Sequence, residues 1–411
     1  MGTPWMGCNI QEIEELDRIL LIGSNIRNEH PLLAQRFRKA VNKGAELSIV
    51  SPLDNNPLMD VAHKVIVRPN DMVNVLGQIL KAMSGLQRLS LCLPPSLNKL
   101  LEDIKVRPNT EAIARSLAGL GDTVDLVAPK VGIFLGSMAL SDPRYTEMYT
   151  MVEAIGGITG AKGGLLPSAA NSTGMHLIGA TPGTKGLNAR AMLESPRKAY
   201  LLVIAPFTET SGTFMSMEGR VQSFQAATKP LGEARPGWKV LRVLANTLGL
   251  PGFDFENSEQ VKNAAFGGQK PSTVVWNSLN NNLKELVEIQ INIKHDGLQR
   301  IGEVPQYESD PIVRRSPPLQ KTKYNIKPMA RMCASEMAAL GLAEGDQVLV
   351  KQDKGSAILT VKLDNHVAMG CVRVAASHPD TVSLGDLMGE ITVEKFDAPV
   401  AKAADKVEAQ V

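Results

Sequence analysis

LDRILLIGSNIRNEHPLLAQRFRKAVNKGAELSIVSP, residues 16–52, holds the pattern from which the fold is read. Asp-Arg-Ile-Leu-Leu-Ile-Gly at 17–23 is a short unbroken apolar run ended by glycine, and it predicts a strand buried on both faces of a parallel sheet. Pro31 suits a first helical turn, where a missing N–H is not needed. Leu32, Leu33, Phe37, Ala40 and Val41 form one apolar stripe, and Gly44 suits the position just past a helix end. Glu46 to Val50 reads as a second strand, completing a β-α-β unit whose crossover should be right-handed.

The alternation continues. His63 to Val67 reads as a strand, Met72 to Met83 as a helix, Arg88 to Cys92 as a strand, and Leu97 to Ile104 and Glu111 to Leu117 as helical stretches. Gly121 to Lys130 reads as a connection, Val131 to Gly136 as a strand, and Asp142 and Pro143 open a helix carrying Tyr145, Met148, Tyr149, Val152 and Ile155. Such alternation argues for an α/β fold with doubly wound parallel sheets. The glycine-rich stretch Gly156 to Gly186 reads as a packed loop, Ala199 to Ala205 as a buried strand, Thr213 to Phe224 as a hairpin, and Pro236 to Leu248 as a helix closed by Gly249. Helices are expected near Val261 and from Leu279 to Ile291, with a polar, proline-containing boundary from Pro305 to Tyr324. Beyond it, short strands with Gly turns predict a small β-barrel domain, and the tail from Pro399 should fray. The expected segmentation is 1–130, an α/β doubly wound domain; 131–325, a second α/β region with the glycine-rich loop; and 326–411, the barrel.

With 411 residues the chain is long enough for two or three domains, and its 44% hydrophobic and 21% charged content is ordinary globular usage. A formal net charge of +2 gives no electrostatic drive toward nucleic acid or anionic lipid, so neither is expected as a partner. No apolar run is long enough to span a bilayer, and the N-terminus lacks a signal-peptide pattern, so a cytoplasmic protein without membrane insertion is expected. Cys8, Cys92, Cys333 and Cys371 lie 84, 241 and 38 positions apart, with no CxxC among them. Iron–sulfur and structural zinc sites take paired ligands from short loops, so this spacing argues against a metal site and for buried, inert thiols.

Gly23, Ser24 and Asn25 stand where open α/β sheets bind ligands, beyond the carboxyl end of the first strand, and small residues there let a phosphate approach backbone N–H groups. The full GxGxxG and P-loop signatures are absent. The 156–186 stretch could cradle a pyrophosphate or simply connect elements. His176, without a second ligand at metal spacing, is expected to be a hydrogen-bonded structural histidine, and Glu218-Gly219-Arg220 an internal ion pair.

Residues 16–52, together with GTFMSMEGRVQSFQAATKPLGEARPGWKVLRVLA at 212–245, YESDPIVRRSPPLQKT at 307–322 and GLAEGDQVLVKQDKGSAILTVKL at the last domain, resemble the large iron–sulfur subunit of bacterial respiratory complex I, the NADH-quinone oxidoreductase. The GTxxxxEGRxQ and RPGW pieces are shared with the wider molybdopterin oxidoreductase superfamily, whereas the RRSPPLQKT piece points to the complex I subunit. The resemblance implies α/β regions plus a double-psi barrel, descended from enzymes that bind a molybdenum dinucleotide cofactor. It also implies iron–sulfur clusters in an N-terminal region or partner subunits, and a molybdenum ligand upstream of Met1, so no such ligand transfers to a residue here. The chain is then expected to be a truncated or separately encoded C-terminal portion that binds no cofactor itself. Its expected role is a non-catalytic scaffold of the complex, at the cytoplasmic face of the inner membrane, with other peripheral-arm subunits as partners. Gly23, Ser24 and Asn25 would be a vestigial dinucleotide site. The alternative is a molybdopterin-dependent oxidoreductase that retains its dinucleotide site; a stand-alone nucleotide-binding module is a third reading.

Overall fold

The apolar run at the start of the chain does form the central strand. A computed structural model describes residues 2–86, 94–120, 127–183, 186–194, 202–283, 287–291, 293, 297–308, 310–322, 325, 327–353 and 355–396. In it, β1 (Arg18–Ile22) is buried along its whole length. It pairs in parallel with β2 (Glu46–Ser51), Ile22 opposite Val50, and β2 pairs in parallel with β3 (His63–Ile66). On its other edge β1 pairs in parallel with β4 (Val131–Leu135), Ile22 opposite Leu135. The chain thus moves outward from β1 through β2 to β3, then returns to the far side of β1. That reversal puts a crevice at the carboxyl ends of β1 and β4, the place where such sheets bind ligands.

The helices of this region are α1 (Ile26–Glu29), α2 (Pro31–Asn42), α3 (Met72–Ser84), α4 (Pro95–Glu102), α5 (Pro108–Leu117), α6 (Ser137–Leu140) and α7 (Tyr145–Thr159). α2 starts at Pro31 and buries Leu33, Ala34, Phe37 and Ala40; Leu32, expected in the same stripe, faces solvent instead. Phe37 meets Phe134 of β4 edge to face, ring centroids 5.3 Å apart. Buried Gln78 of α3 ties down the start of α5, accepting from the Thr110 hydroxyl at 3.1 Å and the Arg107 amide at 3.3 Å. At the amino end of β1, Arg18 donates to the Ser116 carbonyl at 3.2 Å and lies 3.7 Å from Glu46, so its buried charge is partnered.

Residue contacts gather the chain into two compact units, one of Leu16–Ala161 and Val287–Val411, the other of Met1–Glu15 and Lys162–Leu286. This division differs from the segmentation 1–130, 131–325 and 326–411, for two physical reasons. The N-terminal stretch packs with distant residues: the Asn281 side chain accepts from the Trp5 amide at 2.9 Å and donates to the Trp5 carbonyl at 3.0 Å. The barrel, moreover, begins before residue 326.

Within Met1–Glu15 and Lys162–Leu286 the elements include β5 (Lys162–Leu165), α8 (Ser172–Leu177), β6 (Gly212–Met215), β7 (Val221–Phe224), α9 (Gly237–Thr247), α10 (Ser258–Ala265) and α11 (Pro271–Ser278), with a further short helix at Ala189–Glu194. β6 and β7 form the expected antiparallel hairpin, Met215 opposite Val221. α9 ends where Gly249 takes φ +68, as its sequence predicts. Three expectations are corrected. The stretch Gly156 to Gly186 is not one loop, since α7 runs through Gly156 and Gly157 and β5 and α8 follow. The described part of Ala199 to Ala205 is not a buried strand: Leu202, Val203 and Ile204 are exposed and irregular, and Pro206 supplies no N–H to continue a ladder. Leu279 to Ile291 is not helical where described, because Asn281 bonds to Trp5 and Asn280 accepts from the Asn282 amide at 2.8 Å. Asparagine side chains that bond to backbone in this way compete with helix formation.

A closed six-stranded barrel is built from β8 (Leu298–Ile301), β9 (Ala330–Met332), β10 (Gln347–Gln352), β11 (Gly355–Leu363), β12 (Cys371–Arg373) and β13 (Met388–Lys395), in the order β10-β11-β9-β12-β8-β13. Val348 and Val350 of β10 and Leu359 and Val361 of β11 alternate into its core. Arg300 is fully buried there, donating to the Gln352 side chain at 2.9 Å and the Asp386 carbonyl at 3.0 Å. The strand expected at Arg88 to Cys92, part of the connection from Gly121, and the tail from Pro399 lie outside the described residues. Among the described residues no helix is long and apolar enough to cross a membrane.

Candidate functional site

The crevice at the carboxyl ends of β1 and β4 is shaped by two glycines. Gly23 takes φ +55, a left-handed conformation that favours glycine, and a Cβ there would lie 2.5 Å from the Ala139 backbone nitrogen. Its carbonyl accepts from the Met138 amide at 2.9 Å. Across the crevice, a Cβ on Gly136 would lie 2.3 Å from the Ser24 Cβ. The loop after β1 and the loop after β4 therefore touch with almost no side chain between them.

The three residues expected to form a vestigial dinucleotide site are placed together here, and Ser24 and Asn25 are both buried. The group they face is a carboxylate of the chain itself. Glu29, the last residue of α1, turns back so that one carboxylate oxygen accepts from the Ser137 hydroxyl at 2.6 Å and the Asn25 amide at 3.0 Å. The other accepts from the Ser24 hydroxyl at 3.2 Å and the Ser137 amide at 3.4 Å. Sequence reading passed over Glu29 and Ser137. The signal that could have found Glu29 is its place four residues after Asn25, one helical turn on. The residues at this strand end thus hold a carboxylate supplied by the chain itself.

Five residues beyond Ser137, Asp142 is buried at 4% exposure and accepts from the Arg144 amide at 2.7 Å through one oxygen; its other oxygen has no hydrogen-bond partner among the described residues. Burial pushes its carboxyl up to about 6, outweighing the Arg144 amide bond and charge, which pull it down. The folded state therefore binds more protons than the unfolded chain between about pH 4 and pH 6. Stability from this group is present at low pH and is lost as pH rises through that window, by on the order of 2–3 kcal/mol. Asp142→Asn keeps the bond to the Arg144 amide and removes the charge. It is expected to raise the urea midpoint at pH 8 and to flatten the pH dependence between 4 and 6; equal midpoints for both proteins at pH 8 would contradict this.

Of the glycines in the 156–186 stretch, Gly156, Gly157, Gly160, Gly179 and Gly183 have nothing within 4 Å of where a Cβ would be, whereas Gly164 serves packing. A Cβ on Gly164 would lie 2.3 Å from both the Trp5 carbonyl and the Asn281 side chain, so β5 needs glycine for close approach. His176 is exposed on α8. Glu218 and Arg220 form the expected ion pair at 3.0 Å, in the turn between β6 and β7, and Glu218 also accepts from the Ile10 amide at 2.9 Å. Within the same unit, an apolar cavity of 610 Å³ is walled by Phe207, Phe214, Phe224, Trp238, Leu241 and Phe266. Among the described residues Lys262 is its sole ionisable lining group, so it offers no acid–base pair.

Cys8, Cys333 and Cys371 are buried, and Cys92 lies outside the described residues. Burial is the main cause that pushes the Cys8 thiol up to about 12 and the Cys371 thiol above its ordinary range. Among the described residues no group of three or more His, Cys, Asp and Glu is arranged to hold a metal.

Comparison with known proteins places this architecture. The chain is 25% identical over 265 residues to the mitochondrial NADH-ubiquinone oxidoreductase 78 kDa subunit of Candida albicans, a match covering 58% of this chain and 32% of that one. It therefore spans about a third of that relative's length. Over 51 residues, 12% of this chain and 8% of the relative, it is 43% identical to the alpha subunit of an F420-dependent formate dehydrogenase of Methanocaldococcus jannaschii. Acetylene hydratase from Pelobacter acetylenicus has a similar structure, with a TM-score of 0.63 over 96% of this chain and 80% of that one; at 14% identity the likeness is one of fold. The family model for the molydopterin dinucleotide binding domain matches residues 310–404, and that for molybdopterin oxidoreductase matches residues 1–205 and 200–247, more than half of the chain. The chain belongs to the molybdopterin oxidoreductase family.

Proposed function

We propose that this chain is a non-catalytic scaffold portion of the large iron–sulfur subunit of an NADH:quinone oxidoreductase, supporting electron transfer through clusters held elsewhere in the complex. The observation that carries this reading is the burial of Cys8 and Cys371, 1% and 0% exposed. A thiol must lose its proton to ligate iron or zinc, and burial opposes that loss at both positions. The similarity to the 78 kDa subunit, running over 58% of the chain, supports the choice of complex. On this reading the partners are other peripheral-arm subunits, and the chain reaches the cytoplasmic face of the inner membrane through them.

Metal analysis of the purified chain tests the proposal. Iron and molybdenum are expected far below stoichiometric amounts, and a full equivalent of either would overturn it. A second reading, a molybdopterin-dependent oxidoreductase, is favoured by the dinucleotide-binding match over 310–404 and by the short likeness to formate dehydrogenase. A pterin released in stoichiometric amount by acid extraction would establish that reading in place of the first.

A further inference from the structure

We infer that Cys333 and Cys371 are a disulfide-forming pair, a reversible covalent clasp across β9 and β12 of the barrel. The inference does not rest on the scaffold role. β9 and β12 run antiparallel with Arg331 opposite Arg373. Two residues on along β9 and two back along β12, the same register sets Cys333 opposite Cys371. Cys333 keeps an extended backbone, φ −73 and ψ 162, before the helix Ala334–Ala339 begins, so the strand direction carries through to it. Met332 and Val372, the intervening pair, belong to the barrel core, and side chains alternate along a strand, so the two cysteines share the outer face. There Cys371 packs with Leu53, Ile301 and Val367. Cross-strand partners on one face stand with Cβ atoms about 4.5–5.5 Å apart, close to the roughly 3.5–4.5 Å of a disulfide. Two further observations bring the segments together. Glu336 accepts from the Gly370 amide at 2.8 Å, and burial, with negative charge on Cys333 adding to it, raises the Cys371 thiol.

Both thiols are free, but they are not equally shielded: Cys333 is 9% exposed and Cys371 0%. Cys333 Sγ lies 3.1 Å from the Ser335 hydroxyl, at the first turn of the helix, and is the sulfur that a small disulfide reaches first. The oxidant is of the glutathione disulfide class. The Cys333 sulfur attacks one glutathione sulfur, forming a mixed disulfide and releasing one glutathione thiol, which carries off the proton. The Cys371 sulfur then attacks the Cys333 sulfur and releases the second glutathione thiol with the second proton. The two cysteines lose two electrons in all, and the glutathione disulfide gains them. Burial of Cys371 makes closure slow and shields the closed bond from reductant in the same measure. The ring so closed contains β10 and β11, and it removes conformational freedom from the unfolded barrel.

The test is a peptide map of the folded full chain after incubation with oxidised glutathione at pH 8. Remaining thiols are blocked with N-ethylmaleimide, and the chain is cut with trypsin without reduction. One linked species is expected, joining peptide 332–351 to peptide 363–373 and two hydrogens lighter than the two peptides together. The chain oxidised while unfolded in urea should instead give a mixture of pairings among its four cysteines. The oxidised folded chain should melt about 5 °C or more above the same chain treated with dithiothreitol. Cys371→Ser should stop at Cys333 carrying glutathione, with no linked peptide and no gain in Tm. If that variant does not fold, the wild-type map decides alone. Cys333 and Cys371 still free after oxidation, or pairings in the folded chain as mixed as in the unfolded one, would overturn the inference.

Discussion

Gly23→Ala is expected to destabilise the sheet region by about 3 kcal/mol or more, the sum of three effects at one position. An L-residue at φ +55 costs about 1–2 kcal/mol by itself. The new Cβ would stand 2.5 Å from the Ala139 backbone nitrogen, an atom that cannot swing aside as a side-chain tip can. Separating the two loops to relieve that clash stretches the bond from the Met138 amide to the Gly23 carbonyl, now 2.9 Å, for about another 1 kcal/mol. Gly160→Ala is the matched control. Gly160, just after α7, also has positive φ, +67, but nothing lies within 4 Å of where its Cβ would be, so only the backbone penalty of about 1–2 kcal/mol is expected. Urea denaturation with a common slope checks both. Equal losses in the two variants would show that close approach of the β1 and β4 loops is not what Gly23 provides.

The second large effect lies in the core beneath. Phe134 is fully buried, and its ring meets Phe37 of α2 edge to face. It also fills the space beside Gly132, where a Cβ would come within 2.8 Å of the ring. Phe134→Ala is expected to lose about 3–5 kcal/mol, through both the lost transfer energy and the cavity left behind. The lost aromatic contact lies within that figure. Phe134→Leu should lose less than half as much, since most of the volume is retained. A loss below about 1 kcal/mol for the alanine variant would mean that the site collapses freely and that α2 is not packed through this ring.

The elements that could be read from sequence are those in which local pattern and tertiary need agree. Residues 18–22 and 131–135 are apolar almost throughout because both faces are covered, and the 31–42 stripe has one clear helical period. Reading failed where the same apolar content meets a different fate. Leu202 to Ile204 look like a core strand yet are exposed, and periodicity carries no information about which neighbour is present to cover a run. The helix expected from Leu279 was lost to three successive asparagines, two of which bond to the main chain through their side chains instead. At the candidate site, Gly23, Ser24 and Asn25 were found from their position after a strand. The carboxylate that completes the site was not, because Glu29 meets Ser137 only through the return of the chain to β4, a pairing that no local window contains.

One consequence of the barrel concerns how the polypeptide is threaded. β8 precedes the proline-containing stretch 305–324, which holds short helices at Pro311–Arg314 and Pro317–Gln320, while β9 to β13 follow it, and β8 lies between β12 and β13 with Arg300 bonded to Gln352 and Asp386. A protease cut within that stretch would therefore not release a fragment. The nicked molecule should run as one species under native conditions and as two bands after denaturation. The same barrel should assemble from two separately made polypeptides joined only by strand pairing and side-chain packing.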